Sequence, residues 1–326
     1  MEETSAFFGS IGDLSDRESW DIQKIHESPE SYSILSQAKL DGKLLALKSL
    51  KPEYIGNPFY EGLLRKEYEI SRSLNHPCIC QTLDFINMPD LGNCIVTQWI
   101  DGCSLATLLP SLNNRSLNHP IRSLSLSKRT GHRPLRCFDK LSDRRSKGLC
   151  KKILLELCDA LEYLHRNQII HRDLKPSNIM ITKNGWNVKL IDFGLSDAEW
   201  YTTFKNPAGT KDYISPEQMA GKSLDCRTDI YSLGKIIQAM GVYPRIAATC
   251  AAEDRDKRYA SVEEVRAAIL GSERRRRRIA VAVIASVFVI LLSLSLMSLD
   301  INGVKDRRAV DSVFEEISAE IKEAGY

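Results

Sequence analysis

The chain has 326 residues, of which 43 % are hydrophobic and 27 % charged, the composition of a globular protein with a sizeable core. This length accommodates one large domain of two lobes or two modest domains. A formal net charge of +3 does not by itself select acidic or basic partners. Nine cysteines follow no metal-ligand spacing, which argues against a zinc site or a disulfide framework and fits a reducing compartment.

The first part of the chain predicts a small lobe rich in β-strands. Residues 1–19 are an acidic lead without the basic and apolar regions of a secretory signal. The run KLLALKSL at 43–50 predicts a strand, and the Asp-Gly pair before it predicts a hairpin turn. Apolar residues at helical spacing predict a helix over 61–74. Two further strands are predicted over 78–88 and 93–100.

The next part of the chain predicts mostly helices. Residues 148–168 have a strong helical period of apolar side chains. The runs IIH (169–171) and NIMIT (178–182) predict two short strands. Helices are predicted over 228–240 and 261–270, and the second of them begins with a Ser-x-x-Glu capping box.

A basic segment lies between these two parts. Residues 111–147 contain ten Lys or Arg and two Asp, among many Ser and Asn. This composition predicts a solvated, partly disordered insertion, with a dedicated binding surface as the alternative.

Near the C-terminus, residues 279–299 contain no charged side chain. A helix of that length, at about 1.5 Å per residue, spans a hydrocarbon core of about 30 Å, so the segment predicts a membrane helix rather than a buried core helix. The arginines Arg274–Arg278 directly before it predict a cytoplasmic anchor that attracts anionic lipid, and no nucleic-acid partner is expected. We therefore expect a single-pass protein of the cell membrane, with residues 1–273 in the cytoplasm and a C-terminal tail outside.

Four short motifs occur in order along the chain: LALK (45–48), HRDLKPSN (171–178), DFG (192–194) and SPE (215–217). Together they resemble the protein-kinase signature set. Over residues 20–270 the chain is similar to bacterial membrane-anchored (Hanks-type) serine/threonine kinases. The resemblance implies an α+β, two-lobed protein-kinase fold, with a β-rich N-lobe containing one key helix, a helical C-lobe, and one C-terminal transmembrane helix.

The resemblance also divides the chain into segments. Residues 241–257 are too few for the family's usual helices at this point, so the C-lobe is expected to be reduced, with the basic insertion forming part of the substrate surface. The expected segments are an acidic lead (1–19), the N-lobe and hinge (20–100), the C-lobe (101–270) with its insertion (111–147), a polybasic stretch (271–278), the membrane helix (279–299) and a short outer tail (300–326).

The family pattern implies which residues bind ATP. Lys48 would contact the α- and β-phosphates and would be held by an ion pair with Glu67, for which Glu69 is the alternative. In the hinge, the Gln98 carbonyl and the Ile100 N–H would meet the adenine.

The same pattern implies the residues of phosphoryl transfer. Asp192 would bind the Mg²⁺ (or Mn²⁺) that bridges the phosphates, and Asn178 would bind a second ion. Asp173 would accept or orient the proton of the attacking hydroxyl. Lys175 would face the γ-phosphate and is typical of serine/threonine rather than tyrosine kinases.

Further matches imply regulation and support. Arg172 would pair with a phosphate in the activation segment, where Thr202 and Thr203 are the expected acceptors, while Thr210 would contact the catalytic loop. The structural matches are the ion pair of Glu217 with Arg258, and Asp229, which would brace the catalytic-loop backbone.

The phosphate-binding loop departs from the pattern. Ser28, Glu30 and Ser33 stand where the family has three glycines, which let backbone N–H groups approach the phosphates closely. Tyr32 keeps the aromatic residue at the tip. We expect weaker nucleotide binding or an unusual loop geometry before a loss of activity, because Lys48 and the metal ligands supply more of the charge stabilisation in the transition state.

The resulting prediction is a membrane-anchored, ATP-dependent kinase that phosphorylates serine and threonine hydroxyls of proteins, including its own activation segment, in a dimer that reacts in trans. One alternative is a membrane-tethered pseudokinase scaffold that binds partners without efficient phosphoryl transfer, which the glycine-free loop favours. Another alternative is a small-molecule kinase with the same fold. The segment GTKDYISPE argues against it, because the resemblance implies that this segment is typical of kinases with peptide substrates.

Overall fold

The computed structural model describes residues 20–27, 31–112, 143–193 and 211–323. The chain divides into two compact units, Met1–Ile269 and Leu270–Tyr326. The first unit contains both predicted lobes.

The N-lobe is built on a five-stranded antiparallel sheet with the strand order β1-β2-β3-β5-β4. Its strands are β1 (Asp21–Glu27), β2 (Ser33–Leu40), β3 (Lys43–Leu50), β4 (Thr82–Met88) and β5 (Gly92–Gln98). The strand predicted over 43–50 is confirmed. Asp41 and Gly42 both have positive φ, 49° and 78°, so they form the tight turn that the Asp-Gly pair predicted between β2 and β3.

One helix, α1 (Pro58–Arg72), packs on this sheet and buries Leu63, Leu64, Glu67 and Tyr68. The helix begins three residues before the predicted start at residue 61. Asn57 caps it by accepting a 3.0 Å hydrogen bond from the Phe59 N–H, and Pro58 occupies the first helical position, where its missing N–H is no loss.

The C-lobe is mainly helical and also contains a small antiparallel sheet. The sheet strands are β6 (Gly102–Ser104), β7 (Ile179–Thr182) and β8 (Val188–Leu190). The helices are α2 (Leu105–Leu112), α3 (Asp143–Arg166), α4 (Pro216–Met219), α5 (Arg227–Ala239), α6 (Pro244–Cys250) and α7 (Val262–Glu323). The core of the lobe forms around α3, whose Leu154, Leu157 and Leu161 are fully buried.

The strand predicted at IIH (169–171) is wrong. Gln168 turns the chain with a φ of 60°, and the N–H of His171 then bonds the carboxylate of Asp229 instead of a neighbouring strand. The second predicted strand begins at Ile179, because Asn178 belongs to a short 3-10 turn.

The lobe is short between α5 and α7, where the described chain contains only α6 and one 3-10 turn, Arg255–Lys257. The two helices α5 and α6 lie so close that a Cβ on Gly234 would be 2.6 Å from the Cβ of Cys250. A glycine is therefore required at this crossing.

The last helix begins as predicted, but it is much longer than the 261–270 expected. Its capping box is shifted by one residue: the Glu264 N–H donates to Ser261 Oγ (3.4 Å), while Glu264 Oε2 accepts from the N–H of Ala260 (2.9 Å). The division between the two units falls inside α7. Across the described ranges, no helix combines the length and the apolar character needed to cross a membrane.

The structure describes eight cysteines, and no disulfide joins any two of them. Six of the eight are buried, and Cys103 and Cys226 are half-buried. The burial of these six thiols fits the predicted structural role.

Candidate active site

The cleft between the lobes brings a lysine against two carboxylates. Lys48 Nζ on β3 lies 2.6 Å and 2.7 Å from the two carboxylate oxygens of Glu67 on α1, and 3.0 Å from Asp192 Oδ1. Glu69, the alternative partner, is 65 % exposed and lies 3.9 Å from Arg65, one turn away on the same helix. The structure therefore pairs Lys48 with Glu67, because residues two positions apart on a helix point to different faces.

Burial and charge oppose each other at this pair. Burial alone would lower the pKa of Lys48, but the carboxylates of Asp192 and Glu67 outweigh it and hold that pKa well above its usual value. Burial raises the pKa of Glu67, Lys48 opposes the rise, and Asp192 adds to it. Lys48 is thus a fixed positive charge at physiological pH, which a phosphate-binding residue requires.

The catalytic loop brings the next three predicted residues together. Lys175 Nζ lies 2.6 Å from Asp173 Oδ2, and the Asn178 amide nitrogen donates to the backbone oxygen of Asp173 (2.9 Å) and to its Oδ2 (3.0 Å). Burial raises the pKa of Asp173, Lys175 opposes the rise, and Asp192 adds to it. A carboxylate with a raised pKa is a better acceptor for the proton of a hydroxyl group.

The backbone before Asp173 is anchored by Asp229 on α5. One oxygen of Asp229 accepts from the His171 N–H (2.9 Å) and from His165 Nε2 (2.8 Å), and the other accepts from the Arg172 N–H (2.9 Å). Burial would raise the pKa of Asp229, but the hydrogen bonds and charges of the histidines lower it. Asp229 therefore stays ionised and holds the loop as predicted. His165 was not predicted, although it lies in the same helix turn as the predicted end of α3.

The second predicted ion pair is also present. Arg258 donates to both oxygens of Glu217, at 2.7 Å and 2.8 Å, and Thr228 Oγ1 donates to Glu217 Oε1 at 3.1 Å. Burial would raise the pKa of Glu217, but the bonds from Arg258 lower it to about 2. The pair ties α4 to Arg258, the residue that follows the 3-10 turn before α7.

The hinge follows β5, where the Gln98 N–H bonds the Gln81 carbonyl at 3.0 Å. The Gln98 carbonyl accepts a long hydrogen bond from the Cys80 thiol, with 3.8 Å between sulfur and oxygen. A shallow cleft of about 300 Å³ borders Gln98 and Ile100. Neither Lys48 nor Asp173 lines that cleft, so it is separate from the charged site.

The structure describes the glycine-free loop on either side of residues 28–30. Ser28 lies outside the described residues, and Ser33 is the first residue of β2. Tyr32 packs inward: its hydroxyl donates to Glu67 Oε2 at 3.4 Å, and its ring centroid is 6.0 Å from Lys48 Nζ. Burial raises the pKa of the Tyr32 hydroxyl. The sequence placed Tyr32 at the loop tip but did not predict this contact, which joins residues 35 positions apart in the chain.

The activation-segment threonines Thr202, Thr203 and Thr210 lie outside the described residues. Arg172, which would bind their phosphate, is described and has a left-handed backbone with a φ of 63°. Burial lowers the pKa of its guanidinium, and Asp229 opposes the effect. The phosphorylation sites remain predictions.

The oxygen donors fit a magnesium site that is completed by phosphates. The Asn178 amide nitrogen donates to Asp173, and its oxygen, on the other side of the amide, accepts a 3.3 Å hydrogen bond from Ser177 Oγ. Asp192 lies close to Asn178, because the N–H of Ile191 donates to the Asn178 carbonyl. Mg²⁺ prefers a few carboxylate or amide oxygens together with substrate phosphates. Among the described residues, no group of three His, Cys, Asp or Glu is placed to hold a metal ion.

Comparisons with known proteins agree with this geometry. The protein kinase domain family matches residues 31–267, and the chain therefore belongs to the protein kinase family. A probable serine/threonine-protein kinase of Streptomyces coelicolor is 33 % identical over 205 residues, which cover 60 % of this chain and 26 % of that protein. The serine/threonine-protein kinase PknB of Mycolicibacterium smegmatis is 30 % identical over 201 residues, or 59 % of this chain and 27 % of PknB. The predicted resemblance to bacterial serine/threonine kinases is confirmed.

The chain spans about a quarter of the length of these curated relatives. A solved structure, the kinase domain of Mycobacterium tuberculosis PknI, is similar with a TM-score of 0.52 and 18 % identity. The match covers 76 % of this chain and 94 % of the PknI domain. At this identity the likeness concerns the fold, and it confirms the two-lobed architecture.

Proposed function

We propose that the chain is an active protein kinase that uses ATP and Mg²⁺ (or Mn²⁺) to phosphorylate serine or threonine hydroxyls of proteins, its own activation segment included. The observation that carries the proposal is the position of Lys48, which contacts Glu67 and Asp192 at the same time. This contact joins the β-rich lobe to the segment that carries the predicted metal ligand. Phe193, next to Asp192, is buried against His171 and keeps that segment turned inward.

Each residue of the cluster has a defined task in this proposal. Lys48 donates N–H groups to the phosphates of the nucleotide and offsets their charge. Asp173, held by Asn178, accepts the proton of the substrate hydroxyl, and Lys175 places a second positive charge beside the transferred group. A bound magnesium ion supplies further neutralisation of the phosphate oxygens. Catalysis then consists mainly of positioning and charge stabilisation.

The test is incorporation of label from γ-labelled ATP by the full chain, compared with Asp192→Ala and with Asp90→Ala. Asp90 lies in the exposed turn between β4 and β5 and is the matched control. We expect label in the wild type and in the control, mapped to Thr202 or Thr203, and none in Asp192→Ala. A wild-type chain without label on itself or on a generic protein substrate would contradict the proposal.

A pseudokinase scaffold is the second candidate, and two observations favour it. The loop carries no glycine between residues 26 and 35, and Tyr32 lies against Lys48 and Glu67, where phosphates would approach. Nucleotide binding separates the candidates. Absence of both label and binding at millimolar ATP would favour the scaffold, whereas label would exclude it.

The described part of α7 does not by itself qualify as a membrane span. We also propose that the whole uncharged segment 279–299 anchors the protein in a membrane, with the kinase domain in the cytoplasm and dimers reacting in trans. The support is the uncharged segment 279–299, whose described residues 281–294 have highly exposed apolar side chains, preceded by the exposed Arg274 and Arg278.

Fractionation of cells that produce the full chain tests the anchor. Recovery in the membrane pellet after a high-pH wash is expected, and replacement of Val287 and Leu291 by Asp should release the protein. Recovery of the unaltered chain in the supernatant would contradict the anchor.

A further inference from the structure

The peptide that precedes Asp173 is strained and is held on both sides. Arg172 has a φ of 63°, a left-handed conformation that a residue with a long side chain adopts only when its surroundings impose it. On one side, its N–H donates to Asp229 Oδ1 at 2.9 Å. On the other side, its carbonyl oxygen accepts a 2.8 Å hydrogen bond from Gln218 Nε2. Asp173 is the next residue in the chain. These two bonds therefore fix the direction of the backbone that enters Asp173.

Gln218 comes from a different part of the chain and is itself firmly placed. It lies on α4, is 3 % exposed, and its N–H donates to Ser215 Oγ at 3.3 Å. Its neighbour Glu217 is fixed by Arg258. The amide nitrogen of Gln218 therefore reaches the catalytic loop from a rigid support.

The oxygen of the same amide makes no comparable contact within the described part of the structure. Gln218 Oε1 is buried and has no hydrogen-bond partner within the described part of the structure. A buried polar atom without a partner destabilises a fold, and an apolar side chain of the same length would avoid that loss. Simple packing thus gives no reason for an amide here, whereas the bond to the Arg172 carbonyl does.

We propose that Gln218 is a positioning residue for Asp173: it holds the left-handed Arg172 peptide from the carbonyl side, as Asp229 holds it from the amide side, and it links the orientation of Asp173 to the segment Ser215–Met219. This inference rests on the proposed kinase activity. Since Gln218 contacts the backbone before Asp173 and neither Lys48 nor the hinge in the described structure, it acts on turnover and leaves nucleotide binding unchanged.

Gln218→Met tests the inference, with Gln238→Met, at an exposed position of α5, as the matched control. We expect kcat to fall about tenfold in Gln218→Met, equivalent to about 1.4 kcal/mol, with KM for ATP within twofold of the wild type. Equal kcat in the two variants, or a KM that rises in step with the loss, would overturn the inference.

A second variant covers a failure of Gln218→Met to fold. Gln218→Glu has the same shape, but its carboxylate cannot donate to the Arg172 carbonyl, whereas its protonated form can. Its kcat relative to the wild type should therefore recover as the pH is lowered. A ratio that does not change with pH would speak against the donor role.

Amide hydrogen exchange separates this inference from the proposed activity, because it needs no turnover. Exchange at Arg172 and Asp173 should be about tenfold faster in Gln218→Met than in Gln238→Met. A wild-type chain without activity contradicts the proposed function only, and the exchange rates then decide the role of Gln218. Identical exchange rates in the two variants would refute it.

Discussion

At the scale of single residues, Lys48 is held by two carboxylates from different lobes of the fold. If Asp192 bound a metal ion, Glu67 would be the carboxylate that still holds the ammonium. The sequence predicted the contact with Glu67, because the lysine and the helix are each recognisable within a few residues. For Asp192 it predicted a metal-binding role and not the contact with Lys48. It could not choose between Glu67 and Glu69 by physical argument alone, since the choice depends on which face of α1 meets the sheet.

Glu67→Gln should therefore reduce phosphoryl transfer, while Glu69→Gln should not. The amide introduced at position 67 would bond Lys48 without carrying a charge, so the ammonium would be less firmly fixed, and we expect kcat/KM for ATP to fall by about 10- to 100-fold. Glu69 is 65 % exposed, and its replacement should change the rate by less than about twofold. Steady-state assays on both variants measure this, and equal losses would contradict the assignment of Glu67.

The pair of Glu217 with Arg258 predicts a pH-dependent contribution to stability. The pKa of Glu217 is lowered from 4.5 to about 2 in the folded chain. A carboxylate whose pKa is lower in the folded than in the unfolded chain stabilises the fold at pH values above its unfolded pKa. This stabilisation disappears as the pH falls through the pKa of the folded chain. Glu217→Gln should lower the free energy of unfolding by about 3 kcal/mol at pH 7, because Arg258 stays buried without its counter-charge.

The difference between Glu217→Gln and the wild type should stay constant above about pH 5 and shrink as the pH falls from 4.5 toward 2. Urea unfolding at a series of pH values measures it, with Glu69→Gln as the control for an exposed carboxylate. A difference that does not change over this range would show that the charge of Glu217 is not what stabilises the fold.

At the scale of elements, replacement of glycine by alanine should have opposite effects at Gly234, where α5 crosses α6, and at Gly148 on α3. A Cβ on Gly234 would lie 2.6 Å from the Cβ of Cys250 and 2.7 Å from the N of Ala251, so Gly234→Ala should destabilise the C-lobe by about 1–3 kcal/mol. Gly148 on α3 has open space at the same position, and Gly148→Ala should stabilise by about 0.5–1 kcal/mol. The denaturant midpoints of both variants show whether each change stabilises or destabilises the fold. Changes in the same direction would contradict the close contact between α5 and α6 at Gly234.

The elements also show where prediction from sequence reached its limit. The strand at 43–50 and the helix near 61–74 were predicted because alternation, period and an Asp-Gly turn are local signals. The strand at 169–171 was wrong because Asp229, 58 residues from His171, takes the backbone N–H that a strand would have used. Tyr32 and Gln218 escaped prediction for the same reason: their contacts depend on distant partners that no local pattern reports.

At the scale of the whole kinase unit, ligand binding should couple the two lobes. Lys48 belongs to the N-lobe sheet and Asp192 follows the C-lobe strand β8, so a magnesium nucleotide that contacts both would stabilise the folded unit. At 100 times its Kd, a ligand raises the free energy of unfolding by about 2.7 kcal/mol. For a unit of this size, that is a rise in thermal midpoint of about 5–10 °C.

Thermal unfolding with and without Mg-ADP measures this coupling. Lys48→Met should remove most of the rise, and Lys43→Met, on the exposed end of the same strand, should retain it. A rise of equal size in both variants would mean that the nucleotide binds without Lys48. No rise in the wild type at millimolar nucleotide would agree with the pseudokinase alternative.

The six buried thiols also give the molecule an internal reporter of its own opening. A thiolate, not a thiol, reacts with alkylating reagents, and burial raises the pKa of Cys78 and Cys150 to about 11 and that of Cys250 to about 12. Shielding and protonation thus act together to slow their modification. A maleimide should label the half-buried Cys103 and Cys226 first and the buried set only as fast as the fold opens. The number of maleimide groups attached over time can be counted by mass spectrometry. The slow phase of this labelling would record the rate at which the fold opens, and the experiment needs no substrate.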